Sequence, residues 1–318
     1  MGKTQATPGQ IWEMIKALGD RLPKELGQVG YHQDPRWYNE RVAELVRLSR
    51  NSPEAQQIER ILSSGALTVE SLSNPYANEK VKPTRSYPNP WPVLTPEQWA
   101  EGYQKAYPDL DASCILELES GLVIPSWCDQ RVYWRPRLDR FGQVIGVKDP
   151  YGKGYGPCLE WLLNRLAEIY GEGFCDYRKG ALTEKHVRLE STTRQYLEWI
   201  DSQTKGDYVP EIGSLGGCYA GYSVRNCRED TAKVNKDRWA WPAFIGGSIL
   251  LVDHVRLGRN GLLNIDFPGD EYDPDGRSQF GGYCLRFRFH DRLKFSCRWI
   301  GYPDEYWGSA VGFRRLRN

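Results

Sequence analysis

An acidic segment at residues 266–276 carries the oxygen atoms that a calcium ion would need. It contains Asp270, Asp273 and Asp275, and its glycines permit the sharp turns of a binding loop. The residue order of an EF-hand is incomplete, and the segment ends in Pro-Asp-Gly, which forms turns without any metal. Two interpretations stay open: a pair of solvated turns, or a calcium site on these three aspartates. Calcium is the one cofactor that the sequence suggests, and the sequence requires no cofactor.

The four histidines do not form a recognisable metal motif. They stand at positions 32, 186, 254 and 290, without the short spacing that places two imidazoles on one face of a helix or strand. A histidine-based metal site would have to be assembled from distant segments, so the sequence does not favour one.

The cysteines are a second potential source of chemistry. They lie at positions 114, 128, 158, 175, 218, 227, 284 and 297, and no pair has the spacing of a zinc ribbon or a redox motif. Arg298 follows Cys297 directly and would lower the pKa of its thiol, but no histidine is near it in the sequence. The even number and wide spacing of the cysteines would permit disulfides. Because the chain shows no export signal, we favour reduced and mostly buried thiols, and only the compartment would decide between the two.

Arginine and phenylalanine alternate in the stretch 286–295. On a strand this alternation places the phenylalanines on one face and the arginines on the other. A nucleic-acid surface can have this pattern, and so can an ordinary strand whose aromatic face lies in the core. The formal net charge is only +1, which favours the ordinary strand and argues against a nucleic-acid partner.

The first third of the chain predicts a helical module and a linker. Apolar residues recur at helical spacing within residues 1–72, which we interpret as a small N-terminal helical module. Residues 73–111 contain many prolines and predict a linker, or a strap along the surface of a neighbouring unit.

From residue 112 the pattern changes to strands mixed with helices. Hairpins are predicted at 115–124 and at 132–147, followed by helices at 159–170, closed by Gly171, and at 191–200. Beyond them we expect short strands joined by long loops, with no clear helix; Ile-Leu-Leu-Val at 249–252 and the stretch 285–289 are apolar runs of this kind. This order predicts an α+β fold.

The composition limits the kinds of protein that the chain can be. The 318 residues allow about two domains, and 12 Trp, 19 Tyr and 9 Phe give much rigid contact surface. No apolar run is long enough for a membrane span, and the first residues lack the hydrophobic stretch of a secretory signal. We expect a soluble protein, either cytoplasmic or virion-associated.

Three segments occur in an order that resembles a known family. These are VRLESTTRQYLEW at 187–199, FIGGS at 244–248 and VGFRRL at 311–316. Together they resemble the formylglycine-generating enzyme family over about residues 112–318. The resemblance implies a C-type lectin-like fold of the formylglycine-generating enzyme subtype, preceded here by the helical module.

The resemblance also bears on catalysis. Enzymes of this family use a cysteine pair near the C-terminus or a three-histidine iron site. This chain lacks the histidine set, and Cys284 and Cys297 do not lie in a matching motif. We therefore expect a protein that is not an enzyme. An oxidase that uses these two cysteines is the alternative.

The branch of the family that the chain resembles most is the variable proteins of diversity-generating retroelements. In that branch adenine-directed mutagenesis alters exposed residues of a C-terminal region, which here is about 244–318. Mutated codons reach every residue type except Trp, Met, Lys, Gln and Glu. Trp299, Trp307, Phe313 and Arg314 are expected to be scaffold. The candidate ligand-binding residues are Ile300, Tyr302, Asp304, Tyr306 and Ser309, with Asp253, His254, His290 and Asp291 as further candidates.

The resemblance thus implies a receptor-recognition function. The expected partner is a protein or cell-surface ligand, bound by a tyrosine-rich variable face on behalf of a virus or its microbial host. The N-terminal module would serve attachment to a virion or a second copy of the chain. A structural virion protein without a variable site is a further alternative.

Overall fold

The structure is a computed structural model that describes residues 74–85, 94–117, 131–235, 237–253 and 263–314. These residues belong to one compact unit, Asn74–Asn318, while Met1–Ser73 forms a separate unit. The helical module predicted at 1–72 lies outside the described residues.

The described residues form an α+β fold around a mixed sheet of nine strands, as the sequence predicts in its class. The strands are β1 Arg131–Pro136, β2 Phe174–Asp176, β3 Val187–Leu189, β4 Tyr208–Ala220, β5 Arg238–Ala240, β6 Asn264–Tyr272, β7 Tyr283–Phe289, β8 Leu293–Trp299 and β9 Trp307–Phe313. Their order is β1-β4-β9-β6-β7-β8-β2, with β3 also paired to β6 and β5 to β9. The β6–β9 and β2–β8 pairs are parallel, and the other pairs are antiparallel.

Helices cover one face of this sheet, except for the short helix at Val224–Glu229, whose Val224 packs with Cys284 and Ile300 on the opposite face. The helices are α1 Pro96–Ala106, α2 Leu138–Val144, α3 Tyr155–Tyr170, α4 Ser191–Gln203, α5 Val224–Glu229 and α6 Ala243–Val252. The main core lies between the covered face and the helices, where Phe267, Phe287 and Phe295 of the strands belong to the same buried cluster as Leu162 of α3 and Phe244 of α6. In the described part of the chain, no helix is both long and apolar enough to cross a bilayer.

Helices α3 and α4 confirm the two helices expected from the sequence. The apolar face of α3 is buried, and Gly171 follows its last residue with a φ of 53°, a conformation that glycine adopts without strain. Glu190 caps α4: its carboxylate accepts hydrogen bonds from the backbone N–H groups of Thr192 and Thr193, at 2.9 and 3.0 Å. A carboxylate suits this position because it also faces the positive end of the helix dipole.

Helix α6 was not expected. The run at 249–252 was predicted as a strand-like segment, and that prediction is wrong, because these residues end the helix Ala243–Val252. Residues on every side of α6 are buried from Ala243 to Leu251. A helix that is apolar all round has no polar stripe, so its periodicity is invisible in the sequence.

The predicted hairpins also differ from the structure. The run at 144–147 is not a strand, because it begins with the last residue of α2, whose Leu138 and Phe141 are buried in the core. Ala112–Ile115 forms a 3-10 helix in place of the first strand of the earlier hairpin. Its predicted partner, 122–124, lies outside the described residues.

The described parts of the segment 73–111 pack against the rest of the unit. Thr95 caps α1, and Trp99 and Tyr103 of this helix are buried in the main core. A proline at the first helical position favours the start of a helix, so the prolines of the segment do not exclude regular structure at 96–106.

Candidate ligand-binding surface

The face of the sheet opposite the core carries a row of polar side chains. Ser309, Asp266, Arg286 and Ser296 lie directly opposite one another on β9, β6, β7 and β8. Paired residues share a face, whereas neighbours along a strand point to opposite faces. Since Phe287 points into the core, this row points away from it. We call this side of the sheet the polar face.

The connection between β8 and β9 crosses the polar face. The two strands are separated in the sheet by β7 and β6, so residues 300–306, which we call the crossover segment, must span both. The contacts of Arg298 show that the segment crosses the polar face. Its Nη2 donates to the carbonyl oxygen of Tyr302 at 2.6 Å, and its Nη1 lies 3.3 Å from Oδ2 of Asp266. The crossover segment therefore lies over a buried carboxylate.

Backbone atoms hold the crossover segment in place. The N–H of Ile300 donates to Gly282 at 3.1 Å, and its carbonyl accepts from the N–H of Arg225 at 3.0 Å. Near the other end, the carbonyls of Glu305 and Tyr306 accept from the N–H groups of Thr84 and Asn264, at 3.0 and 2.9 Å. Because every one of these bonds uses the main chain of the segment, none depends on the identity of its side chains.

Three aromatic side chains project from this anchored segment and its edge. Tyr302 is 66% exposed, Tyr306 41% and Trp299 53%. The expectation that Trp299 is a scaffold residue is therefore wrong in terms of burial, although its ring contacts Tyr283 edge to face at 5.6 Å. Trp307 and Phe313 are buried as expected. We call Trp299, Tyr302 and Tyr306 the aromatic face.

The segment 74–85 borders this surface. Its Val81 N–H donates to Gly221 at 2.9 Å, and Ser223 donates to the carboxylate of Glu79 at 2.7 Å. The same carboxylate pairs with Arg225, whose main chain holds Ile300. One strap-like piece of the chain thus supports the crossover segment from its edge.

Asp266 is the acid beneath the crossover segment. It is 1% exposed, and burial raises its pKa to about 6, while Arg298 opposes the shift. A carboxylate in such a place depends on its cation, because an unpaired buried charge is strongly destabilising. The Asp266–Arg298 pair therefore links the sheet to the backbone of the aromatic face.

The predicted ligand-binding residues fall into three groups. Tyr302 and Tyr306 are exposed, as that prediction requires, and Asp304 accepts the Tyr306 N–H at 2.9 Å, which closes a turn. His290 and Asp291 are exposed at the turn between β7 and β8. The buried members are Ile300, which packs with Val224 and Cys284, Ser309 and Asp253. His254 lies outside the described residues.

Two of the three candidate calcium ligands serve other contacts, and the third is exposed. Asp270 is buried and accepts hydrogen bonds from the Tyr155 hydroxyl and the Ala243 N–H; burial raises its pKa to about 7. Asp273 accepts backbone N–H groups of its own turn, foremost that of Gln279, which lower its pKa. Asp275 is exposed. Within the described ranges, no group of three or more His, Cys, Asp or Glu residues is arranged to hold a metal ion.

The two cysteines of the oxidase alternative do not face each other. Cys284 lies opposite Arg298, whereas Cys297 lies opposite Leu285, so the two thiols point to opposite faces of the sheet. Burial raises the pKa of both. This arrangement is unfavourable for a reactive pair.

Most other described cysteines are free thiols, namely Cys114, Cys158, Cys175 and Cys227. Cys218 is disulfide-bonded, so the favoured interpretation of reduced thiols is wrong for this residue. Sequence spacing gave no signal for it, because widely separated cysteines become neighbours only through the fold.

The glycines of the family-like segments occupy tight core positions. A Cβ on Gly246 would collide with the ring of Phe267, and one on Gly312 with the indole nitrogens of Trp239 and Trp241. Glycine is required at both places because a helix or strand backbone passes directly over an aromatic side chain. These segments thus contribute to packing, and the exposed aromatic face lies outside them.

Sequence reasoning missed the ion pair that supports the surface. The Arg-Phe alternation predicted the orientation of β7 correctly, since Phe287 is buried. It gave no indication that Asp266 of another strand would meet Arg298. No local signal pointed to it, because Asp266 begins the acidic segment 266–276 and is not distinguished there from Asp270 or Glu271.

A scan against protein-family models, a search of curated proteins and a search of solved structures each find no match to this chain. The family resemblance of residues 112–318 therefore stays a prediction.

Proposed function

We propose that this chain is a non-enzymatic ligand-binding protein whose aromatic face recognises a protein ligand on a cell surface. The observation that carries the proposal is the backbone anchoring of the crossover segment. A segment held by its own N–H and carbonyl groups keeps its course when its side chains change. Tyr302 and Tyr306 can then vary to suit different ligands.

The exposed residue types support this function. Tyr and Trp bury much area with few rotatable bonds, and their polar atoms adapt to different partners. Trp299 cannot arise by the adenine-directed changes of a variable region, so it would be the constant member of the aromatic face. Tyr302 and Tyr306 would be the variable members.

The proposal includes a C-type lectin-like fold of the formylglycine-generating enzyme subtype. Its support is the position of the three family-like segments, of which 187–199 covers much of α4, 244–248 lies in α6, and 311–316 begins in β9. They occur in the family's order, and the glycines of the last two are packing positions.

The DNA next to the coding sequence provides the first test. We expect a near-copy of the 3′ coding end that differs only at adenines, beside a reverse transcriptase gene. Differences should include the codons for Tyr302, Asp304 and Tyr306, and should be rare or conservative at the buried Ile300 and Ser309. A neighbourhood without such a copy would contradict the variable-protein assignment.

Binding of the labelled full chain to intact cells of the encoding host, or of the host's own target cells, provides the second test. Replacing both Tyr302 and Tyr306 with Ala should weaken binding by about thirtyfold or more, the loss typical of central aromatic contacts. Tyr177→Ala is the matched control, because Tyr177 is 47% exposed and lies outside the aromatic face. Equal binding by the double variant and the control would refute the proposed face.

A further inference from the structure

The polar face carries more cations than its neighbouring carboxylates neutralise. Arg286 and Arg288 share this face of β7, and Arg298 and Lys294 share it on β8. Asp266 pairs with Arg298, and Asp291 pairs with Lys294. Among the residues that the structure describes, neither Arg286 nor Arg288 has an ion pair.

Arg286 is held rigidly in this setting. Its Nε donates to the hydroxyl of Ser296 at 2.7 Å, and its guanidinium carbon lies 4.4 Å from the centre of the Trp307 ring. Partial burial lowers the pKa of Arg286. Asp266 raises this pKa, whereas the nearby cations Arg288 and Arg298 lower it further. Asp266 therefore stabilises the charged form of Arg286 less than burial and the neighbouring cations destabilise it.

Arg288 has an unused donor. Its Nε is buried and has no hydrogen-bond acceptor among the described residues. Asp266, the acid directly opposite Arg286 on β6, pairs with Arg298. A buried donor without an acceptor is destabilising, so a rearrangement of the Arg288 side chain that brings this donor to an incoming oxygen atom would be favoured.

We propose that Arg286 and Arg288 form an oxyanion-binding site for a phosphate or sulfate group. Two guanidinium groups that lack carboxylate partners match the charge of one dianion. Their planar forks suit tetrahedral oxyanions, which accept two parallel hydrogen bonds from each arginine. The ring of Trp307 limits the movement of Arg286 and keeps it prepared for the ligand.

This site is independent of the variable aromatic face. The arginines lie on β7, which is part of the sheet, and their geometry does not require that Tyr302 or Tyr306 vary. The group could arrive as a free ion or as part of a larger ligand, and both forms present the same oxygens.

Isothermal titration of the full chain with sodium phosphate, and separately with sodium sulfate, tests the site at constant ionic strength. We expect saturable binding of at least one of the two ions at one site, with sodium chloride as the blank. Arg288→Gln should weaken this binding by about tenfold or more, because it removes a charged donor. Arg194→Gln, which changes an exposed arginine of α4, should leave it unchanged.

Arg288→Lys is the second variant, which keeps the positive charge and removes the planar guanidinium group. It should bind more weakly than the wild type and more tightly than Arg288→Gln. Tighter binding of phenyl phosphate than of inorganic phosphate would support a group on a larger ligand, and equal binding would support the free ion. No saturable binding of either ion, or equal binding by wild type and Arg288→Gln, would overturn the proposal.

Discussion

Replacing Arg298 with Met removes the cation between a buried carboxylate and the backbone of the crossover segment. Met is chosen because its unbranched side chain fills similar space. Asp266 would lose its ion-pair partner, and the carbonyl of Tyr302 would lose a donor. Breaking a buried pair from one side costs about 3–5 kcal/mol. We expect a loss of this order in the free energy of unfolding near neutral pH.

The loss should depend on pH with a definite sign. The pKa of Asp266 is raised from 3.8 to about 6 in the folded protein, so the folded state holds the proton more tightly than the unfolded state. The stabilisation from protonated Asp266 is present below about pH 4 and is lost as the pH rises through about 6. At 1.36 kcal/mol per pKa unit, this amounts to about 3 kcal/mol in the wild type.

Without Arg298 the pKa of Asp266 rises further, because its main compensating charge is gone. At about pH 5 Asp266 is then mostly protonated in both proteins, and the variant loses mainly a hydrogen bond, about 1–2 kcal/mol. At about pH 8 it loses the full 3–5 kcal/mol. Arg298→Met should therefore be clearly more destabilising at the higher pH.

Urea unfolding followed by tryptophan fluorescence measures both values. Arg194→Met, at an exposed position of α4, is the control and should change little at either pH. Adding Asp266→Asn to Arg298→Met should restore part of the stability at about pH 8. Equal losses at both pH values, together with no recovery in the double variant, would refute the role assigned to this pair.

Two further predictions concern packing and thiol chemistry. Gly312→Ala should lower the free energy of unfolding by about 1–3 kcal/mol, because its Cβ would collide with the indoles of Trp239 and Trp241. Gly173→Ala, whose Cβ would have its nearest neighbour 3.9 Å away, should be tolerated in the same thermal melt, and equal losses would contradict the packing argument. Cys284 should resist alkylation in the native protein, since burial raises its pKa; rapid native labelling, located by peptide mapping, would count against this.

Local patterns predicted the elements whose signal is contained in their own sequence. Helix α3 has a polar and an apolar side and a glycine stop at Gly171, and both features are local. The alternation around Phe287 likewise fixed which side of β7 is buried, because the period of a strand is short.

The missed features depend on partners far along the chain. Helix α6 is surrounded by protein on all sides, so its sequence lacks a polar stripe. Asp266 meets Arg298 only because β6, β7 and β8 are neighbours in the sheet, and strand order is not encoded in any short segment. Trp299 was assigned to the scaffold by residue type, although the end of β8 leaves its ring exposed.

The central claim is that the crossover segment holds its course through main-chain contacts. Replacing Tyr302 and Tyr306 with Asn, Asp or Ser, and measuring unfolding free energies against Ile300→Ala, tests it most directly. The claim predicts changes within about 0.5 kcal/mol at the two tyrosines and a loss of about 2 kcal/mol or more at Ile300, which is buried. Losses at the tyrosines as large as at Ile300 would contradict it.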